Sequence, residues 1–183
     1  MEQPERVITK HGVFLDVLGA GVLLTGASGI GKSELALGLI NRGHRLIADD
    51  AVNLHQTSHD TLIGKCPELL QDFLEVRGLG ILNIRIMFGD TSIKPSKKLQ
   101  LIVNIVSFDD EELKNIDRLH GMYRHCSILD IDIPEVTIPV APGRNLAVLV
   151  ESAVRNQVLI NTGYNASQEF IKRQKALMER DAS

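Results

Sequence analysis

Residues 26–33 read "GASGIGKS" and satisfy the pattern G-x-x-x-x-G-K-[ST], which leaves the chain little freedom in how it folds around them. Such a loop works only between a strand that delivers it and a helix that follows it. The flanking residues supply both, because Val22–Thr25 is an apolar run and Ser33–Arg42 carries Leu35, Ala36, Leu39 and Ile40 at helical spacing. Gly43 then stands where a helix C-cap is wanted. The glycines Gly26, Gly29 and Gly31, with Ala27, Ser28 and Ile30 between them, let backbone N–H groups converge on phosphate oxygens. Lys32 would reach the terminal phosphates and the Ser33 hydroxyl would ligate Mg²⁺. The alternative, a structural glycine turn, explains neither the Lys-Ser pair nor the helix that follows.

What happens to the phosphate must be read from other residues. There is no [NT]KxD guanine motif, the D-x-x-G at Asp16–Gly19 precedes the loop, and LSGGQ is absent, so a GTPase or transporter ATPase is disfavoured. "HRLIA" reads as the strand after the loop's helix, and Asp49 and Asp50 stand at its C-terminal end, where open α/β sheets place ligands. A carboxylate there can support Mg²⁺ or take the proton from an attacking hydroxyl. Neighbours on a strand face opposite ways, so one of the two is expected to reach the reacting atoms. Asp109 and Asp110 are rival candidates, and their continuation into Glu111 and Glu112 favours a solvated acidic cluster.

Composition excludes several other classes. At 183 residues with 44% hydrophobic content, a single domain spanning 1–183 is expected. A net charge of −3 without a long basic run argues against nucleic acid as partner. Cys66 and Cys126 fit neither a disulfide framework nor a metal site, the first residues are too charged for a signal peptide, and no apolar run is long enough to span a membrane. A cytoplasmic protein with no membrane partner is expected. His55 and His59 lack the Glu of a zinc protease helix, and "HQTSH" reads as an exposed loop. By itself His11 reads as a surface histidine.

Elsewhere, Val13–Val17 reads as a strand, Pro67–Leu74 as a helix start, "LEVRGLGILNI" as a strand entering a turn, and "KLQLIVNIVSF" as a long buried strand. "SILDIDIPEVTIPV" reads as two strands broken at Pro134. "APGRN" is a turn, and helices are expected over Leu146–Asn161 and Ser167–Glu179.

Taken together, "HGVFLDVLGAGVLLTGASGIGKSELAL", "RGHRLIADDAV", "LEVRGLGILNI" and "IPVAPGRNLAVLVE" resemble the C-terminal catalytic domain of HPr kinase/phosphorylase from His11 to about Phe170. The resemblance implies an α/β phosphate-loop kinase fold related to phosphoenolpyruvate carboxykinase, with a mixed central sheet and C-terminal helices. It implies ATP-dependent phosphorylation of a regulatory serine on the phosphocarrier HPr, phosphorolysis of that phosphoserine to pyrophosphate, Mg²⁺ dependence and a homohexamer. By the same resemblance Lys32 and Ser33 match the loop lysine and the Mg²⁺-ligating serine, and Glu75 the second Mg²⁺ ligand. Arg77 falls in the same signature, His11 matches the active-site histidine, Arg118 the catalytic arginine, and Asp50 the acid/base carboxylate with Asp49 as its alternative. Residues 139–144, ending at Arg144, match a segment tied to dephosphorylation. The family's usual N-terminal domain has no counterpart in these residues.

The chain departs from the family in three places: Ala27 where many relatives carry Asp, "IDRLH" for "YDRLG", and "VAPGR" for "VRPGR". The first removes a polar contact from the nucleotide site. The other two bear on substrate affinity and on the phosphorylase direction. A small-molecule or nucleotide kinase, and a nucleotide-binding module without catalysis, are the competing classes. The former would need an arginine-rich lid, which is not visible.

Overall fold

The structure is a computed structural model that describes residues 6–181; residues 1–5 and 182–183, and the side chains of Asp110 and Asp181, lie outside the description. Part of the charged opening segment read above therefore falls outside the described residues, as does the Asp110 carboxylate.

In chain order the strands and helices are β1 (Arg6–His11), β2 (Val13–Val17), β3 (Ala20–Gly26), α1 (Lys32–Asn41), β4 (Arg45–Ala48), β5 (Ala51–Ser58), β6 (Thr61–Lys65), β7 (Phe73–Val76) and β8 (Gly80–Asn83). There follow α2 (Ile84–Phe88), β9 (Ser96–Ser107), α3 (Asp110–Lys114), β10 (Tyr123–Ile128), β11 (Ile131–Val140), α4 (Leu146–Asn161) and α5 (Ala166–Asp181). β9 is the axis of the main sheet. Its first residues pair antiparallel with β6, its later residues pair parallel with β11 on the same side, and β3 runs parallel along its other side. The path β1-β5-β6-β9-β3-β2-β4 makes the sheet mixed, as expected. β7 and β8 form a separate two-stranded sheet.

Two cores form because successive residues of one strand face opposite ways. All five residues of β2 are buried. Val13, Leu15 and Val17 enter the cluster covered by α1, α4 and the β7–β8 hairpin, while Phe14 enters a second one with Leu23, Ile47, Leu54, Leu62 and Ile133. Gly64 is required by that second core, since a Cβ there would lie 2.2 Å from the Phe14 ring. α1 and α4 are tied by Glu151, which accepts from Arg42 Nε and Nη2 at 2.8 and 2.7 Å and lies 2.7 Å from His44 Nε2.

Three expectations are corrected. Pro67–Leu74 does not start an α-helix; Glu68–Leu70 forms a 3₁₀ turn, and Leu74 and Val76 alternate inward as β7 pairs with β8. The two strands after residue 122 are separated not at Pro134 but at Leu129 and Asp130, both with positive φ. Pro134 is tolerated inside β11 because β9 pairs only from Glu135 onward, so the side on which proline lacks a donor has no neighbouring strand. His55 lies in β5 rather than a loop: Val52 and Leu54 are buried, and the alternating Asn53 and His55 belong to the opposite face. Asp109 caps α3, accepting from the backbone of Glu111 and Glu112 in a capping box that also uses the Glu112 side chain, which gives Asp109 and Glu112 a structural role. Among the described residues no helix is long and apolar enough to cross a membrane.

Candidate active site

β3 ends at Gly26, and the loop to Gly31 opens directly into α1. Only glycine fits at 26, since its φ is 142° and a Cβ would lie 2.4 Å from the Ile105 carbonyl of β9. The loop is thereby pressed onto the central strand. Ile30 N donates to Ala27 O at 3.2 Å, and Lys32 Nζ donates to the carbonyls of Gly26 and Ala27 at 3.0 Å each. The lysine ammonium thus folds back over the loop that would hold phosphate.

Two other segments bring charge to the same place. β4 delivers Asp49 and Asp50, and the β7–β8 hairpin delivers Glu75 and Arg77. A cleft of about 420 Å³ is lined by His11, Gly26, Ser28, Gly29, Gly31, Lys32, Ser33, Asp49, Asp50, Glu75 and Arg77. The Arg77 guanidinium lies over Gly29, where a Cβ would come within 3.3 Å of both Nη atoms. Cations from the loop and the hairpin therefore line the same cleft.

The adjacent aspartates differ in every respect that matters. Asp49 is 7% exposed, and its Oδ2 accepts from Glu75 N at 2.8 Å. Burial pushes its carboxyl above the usual range, against the opposing effect of the Glu75 and Asp50 N–H groups. Asp50 has φ 65° and a side chain 75% exposed into the cleft mouth. Its carbonyl accepts from Gly12 N at 3.2 Å and lies 3.0 Å from His11 Nδ1, which is 3.6 Å from Asp50 Oδ1. The junction of β1 and β2 thus holds the Asp50 backbone while its carboxylate stays in solvent. Cys66, near Asp49, has its thiol pushed up to about 11 by burial, which makes it a poor thiolate nucleophile.

Arg118 and Arg144 are not brought into this cleft. Arg118 is exposed in the segment before β10, next to Asp117, whose carboxyl is held down to about 2 by hydrogen bonds from His120 and Leu119. Arg144 donates to Pro139 O at 3.2 Å and lines a neighbouring groove that shares Gly31 and Glu34 with the cleft. The sequence reading missed Gly12, Val13 and Glu34, which complete the lining. Glu34 directly follows the loop serine, so proximity along the chain was the one available signal. Among the described residues no group of three or more His, Cys, Asp or Glu side chains could hold a metal. The Ser33 hydroxyl and the carboxylates of Glu34, Asp49, Asp50 and Glu75 are the hard oxygen donors that line the cleft.

Residues 4–174 match the family described as HPr Serine kinase C-terminal domain. A protein of Neisseria meningitidis (serogroup C, strain FAM18) named HPr kinase/phosphorylase is 59% identical over 170 residues, which are 93% of this chain and 53% of that protein. One of Chromobacterium violaceum with the same name is 55% identical over 163 residues, 89% of this chain and 51% of that one. The chain spans about half the length of the curated relatives it matches. A solved structure, the Hpr(Ser) kinase/phosphatase from Coxiella burnetii, superposes with a TM-score of 0.79 at 38% identity, covering 89% of this chain and 98% of that one.

Proposed function

The chain belongs to the HPr serine kinase C-terminal domain family, and from that premise we propose that it is the catalytic domain, spanning 1–183, of an ATP-dependent protein serine kinase that also phosphorolyses its product, acting on HPr. The observation that carries this reading is the convergence, in one cleft, of the Lys32 loop, the Glu75–Arg77 hairpin and the exposed Asp50 carboxylate. Ser33 and Glu75 would hold Mg²⁺, which when bound neutralises charge on the transferring phosphates.

In the kinase direction the Asp50 carboxylate accepts the proton of the attacking serine hydroxyl. The bond from serine oxygen to the γ-phosphorus forms as the γ-phosphorus to bridging-oxygen bond breaks and ADP leaves. Lys32 and Arg77 face the charge spread over the equatorial oxygens. In the reverse direction an oxygen of inorganic phosphate attacks the phosphoserine phosphorus, and protonated Asp50 returns its proton to the departing serine oxygen, leaving pyrophosphate. His11 holds the backbone from which that carboxylate projects. Arg118 and Arg144, outside the cleft, fit the handling of the protein substrate. A cytoplasmic setting and a homohexamer complete the reading, both resting on the family resemblance.

The test incubates the protein with labelled ATP and HPr, and separately with phosphoserine HPr and inorganic phosphate. Label on the HPr serine and release of pyrophosphate are expected. Transfer to a small hydroxyl compound but not to HPr, or ATP binding with no transfer, would overturn the reading.

A further inference from the structure

We propose that Asp49 is a positioning residue: it sets the height of Glu75 against the phosphate loop and takes no part in moving the proton. The inference rests on the reading of Glu75 as the metal ligand. The hairpin that carries Glu75 is not a member of the main sheet. It is attached through Leu74 and Val76, buried in the core beside α1. Apolar contact of that kind is non-directional and fixes depth better than it fixes register. The polar bonds at the base of the hairpin are largely internal to it, as in Ile84 N to Asp72 O at 2.9 Å and Arg85 Nε to Asp72 Oδ2 at 2.6 Å.

The bond from Glu75 N to Asp49 Oδ2 is different, because it joins the hairpin to the end of β4 and does so at the residue whose carboxylate is to meet the cation. The Glu75 N–H points away from β8, toward β4. Asp49 in turn is fixed by its place in the chain, since Ala51 N donates to Asp49 O at 2.8 Å and the next residue is pinned by Gly12 and His11. One aspartate is thus turned inward to brace a strand, and its neighbour outward into the cleft. A buried side chain occupied by a backbone donor is poorly placed to meet a serine hydroxyl.

Asp49→Asn keeps an oxygen for the Glu75 N–H, whereas Asp49→Ala removes it. The readouts are Mn²⁺ affinity in the presence of ADP, followed by electron paramagnetic resonance, and kinase turnover against Mg²⁺ concentration. Asp49→Ala is expected to bind Mn²⁺ about 10-fold or more weakly, the scale of losses at groups that orient metal ligands, and to need more Mg²⁺ while kcat at saturating Mg²⁺ stays within a few-fold. Asp49→Asn should match the native protein within about threefold in both readouts, since its acceptor survives. Unchanged Mn²⁺ affinity in Asp49→Ala would overturn the inference. So would Asp49→Asn that binds Mn²⁺ normally yet loses turnover 10²-fold or more, which is the mark of an acid/base group. If Asp49→Ala does not fold, Asp49→Leu, which also lacks an acceptor but fills the buried site, takes its place under the same criterion. Asp50→Asn, run beside them, tests the proposed mechanism instead: full turnover in that variant would break the acid/base assignment while leaving the Mn²⁺ comparison standing.

Discussion

β4 has a buried carboxylate near each end, and the two are treated in opposite ways. Near Arg45, Asp16 is 3% exposed and its Oδ2 faces Arg45 Nη2 at 3.4 Å, Lys94 Nζ at 3.2 Å and Lys97 Nζ at 3.7 Å. Past Ala48, Asp49 is almost as buried but is answered by backbone N–H groups. The first end is over-supplied with positive charge. At the second, the cations of the neighbourhood, Lys32 and Arg77, line the cleft that would take phosphate. One end of the strand serves stability and, on the proposed function, the other serves a ligand; the carboxylate at that second end lies in an environment that raises its pKa.

The sharpest way to break this contrast is at Asp50. Asp50→Asn should lower both HPr phosphorylation and pyrophosphate release by roughly 10²- to 10⁴-fold, the usual contribution of a positioned acid/base group, with Tm unchanged. Loss of one reaction only would require separate proton carriers for the two directions. Lys32→Ala should follow, with kinase turnover down by about 10²- to 10³-fold, the scale of a removed electrostatic stabiliser, and ATP affinity reduced in a titration calorimeter. Normal turnover in a folded Lys32→Ala protein would remove the loop from the chemistry.

At the other end the effect should be on folding. Asp16→Asn leaves three cations converging on a neutral amide and is expected to cost about 3 kcal/mol, at the low end for a broken buried pair because the cations are partly exposed. For a chain of this size that is a fall in Tm of about 6 to 12 °C by calorimetry, with kinase constants unchanged.

Glu151 extends the contrast to a third carboxylate. Hydrogen bonds from Arg42 and then His44 hold its carboxyl down to about 2. A depressed folded pKa stabilises at pH above the unfolded value, so the native protein should lose about 2 kcal/mol as pH falls from about 5 to 2. Glu151→Gln should be less stable at pH 7 and flatter in that window, as followed by urea unfolding. Asp49→Asn should have the smallest effect on folding and the opposite sign. A raised folded pKa means that ionised Asp49 opposes folding at neutral pH, so removing its charge should leave Tm unchanged or higher. A drop like that of Asp16→Asn would erase the distinction between the two ends.

The stability end was nearly invisible in the sequence, and the ligand end was not. "GASGIGKS" dictates strand, turn and helix because each residue type answers a local demand, and "RLIADD" follows at the length of one short strand. Asp16 was read only as part of an out-of-order D-x-x-G, since Lys94 and Lys97 lie some eighty residues away and meet it through sheet pairing. The same holds for β1 and the β5–β6 hairpin, whose pairing partners are distant or whose outward faces are polar. Arg118 and Arg144 were legible as family positions, but their distance from the cleft depends on the course of the chain after β9. The different settings of Asp49 and Asp50 also needed three dimensions: a strand's alternation says that one faces in, and burial together with the bond from Glu75 N shows that it is Asp49.

The left-handed backbone at Asp50 also limits what can stand there. Glycine, asparagine and aspartate are the residues that accept that conformation with least strain, and of these only aspartate could serve as the proposed proton carrier. Glutamate would keep the acid and strain the turn; asparagine would keep the turn and end the proposed proton transfer. On that mechanism the position is closed to neutral drift while the reaction is under selection. In a lineage released from that selection the cheapest exits are asparagine and glycine, so the letter at this one position would record whether the activity had been kept.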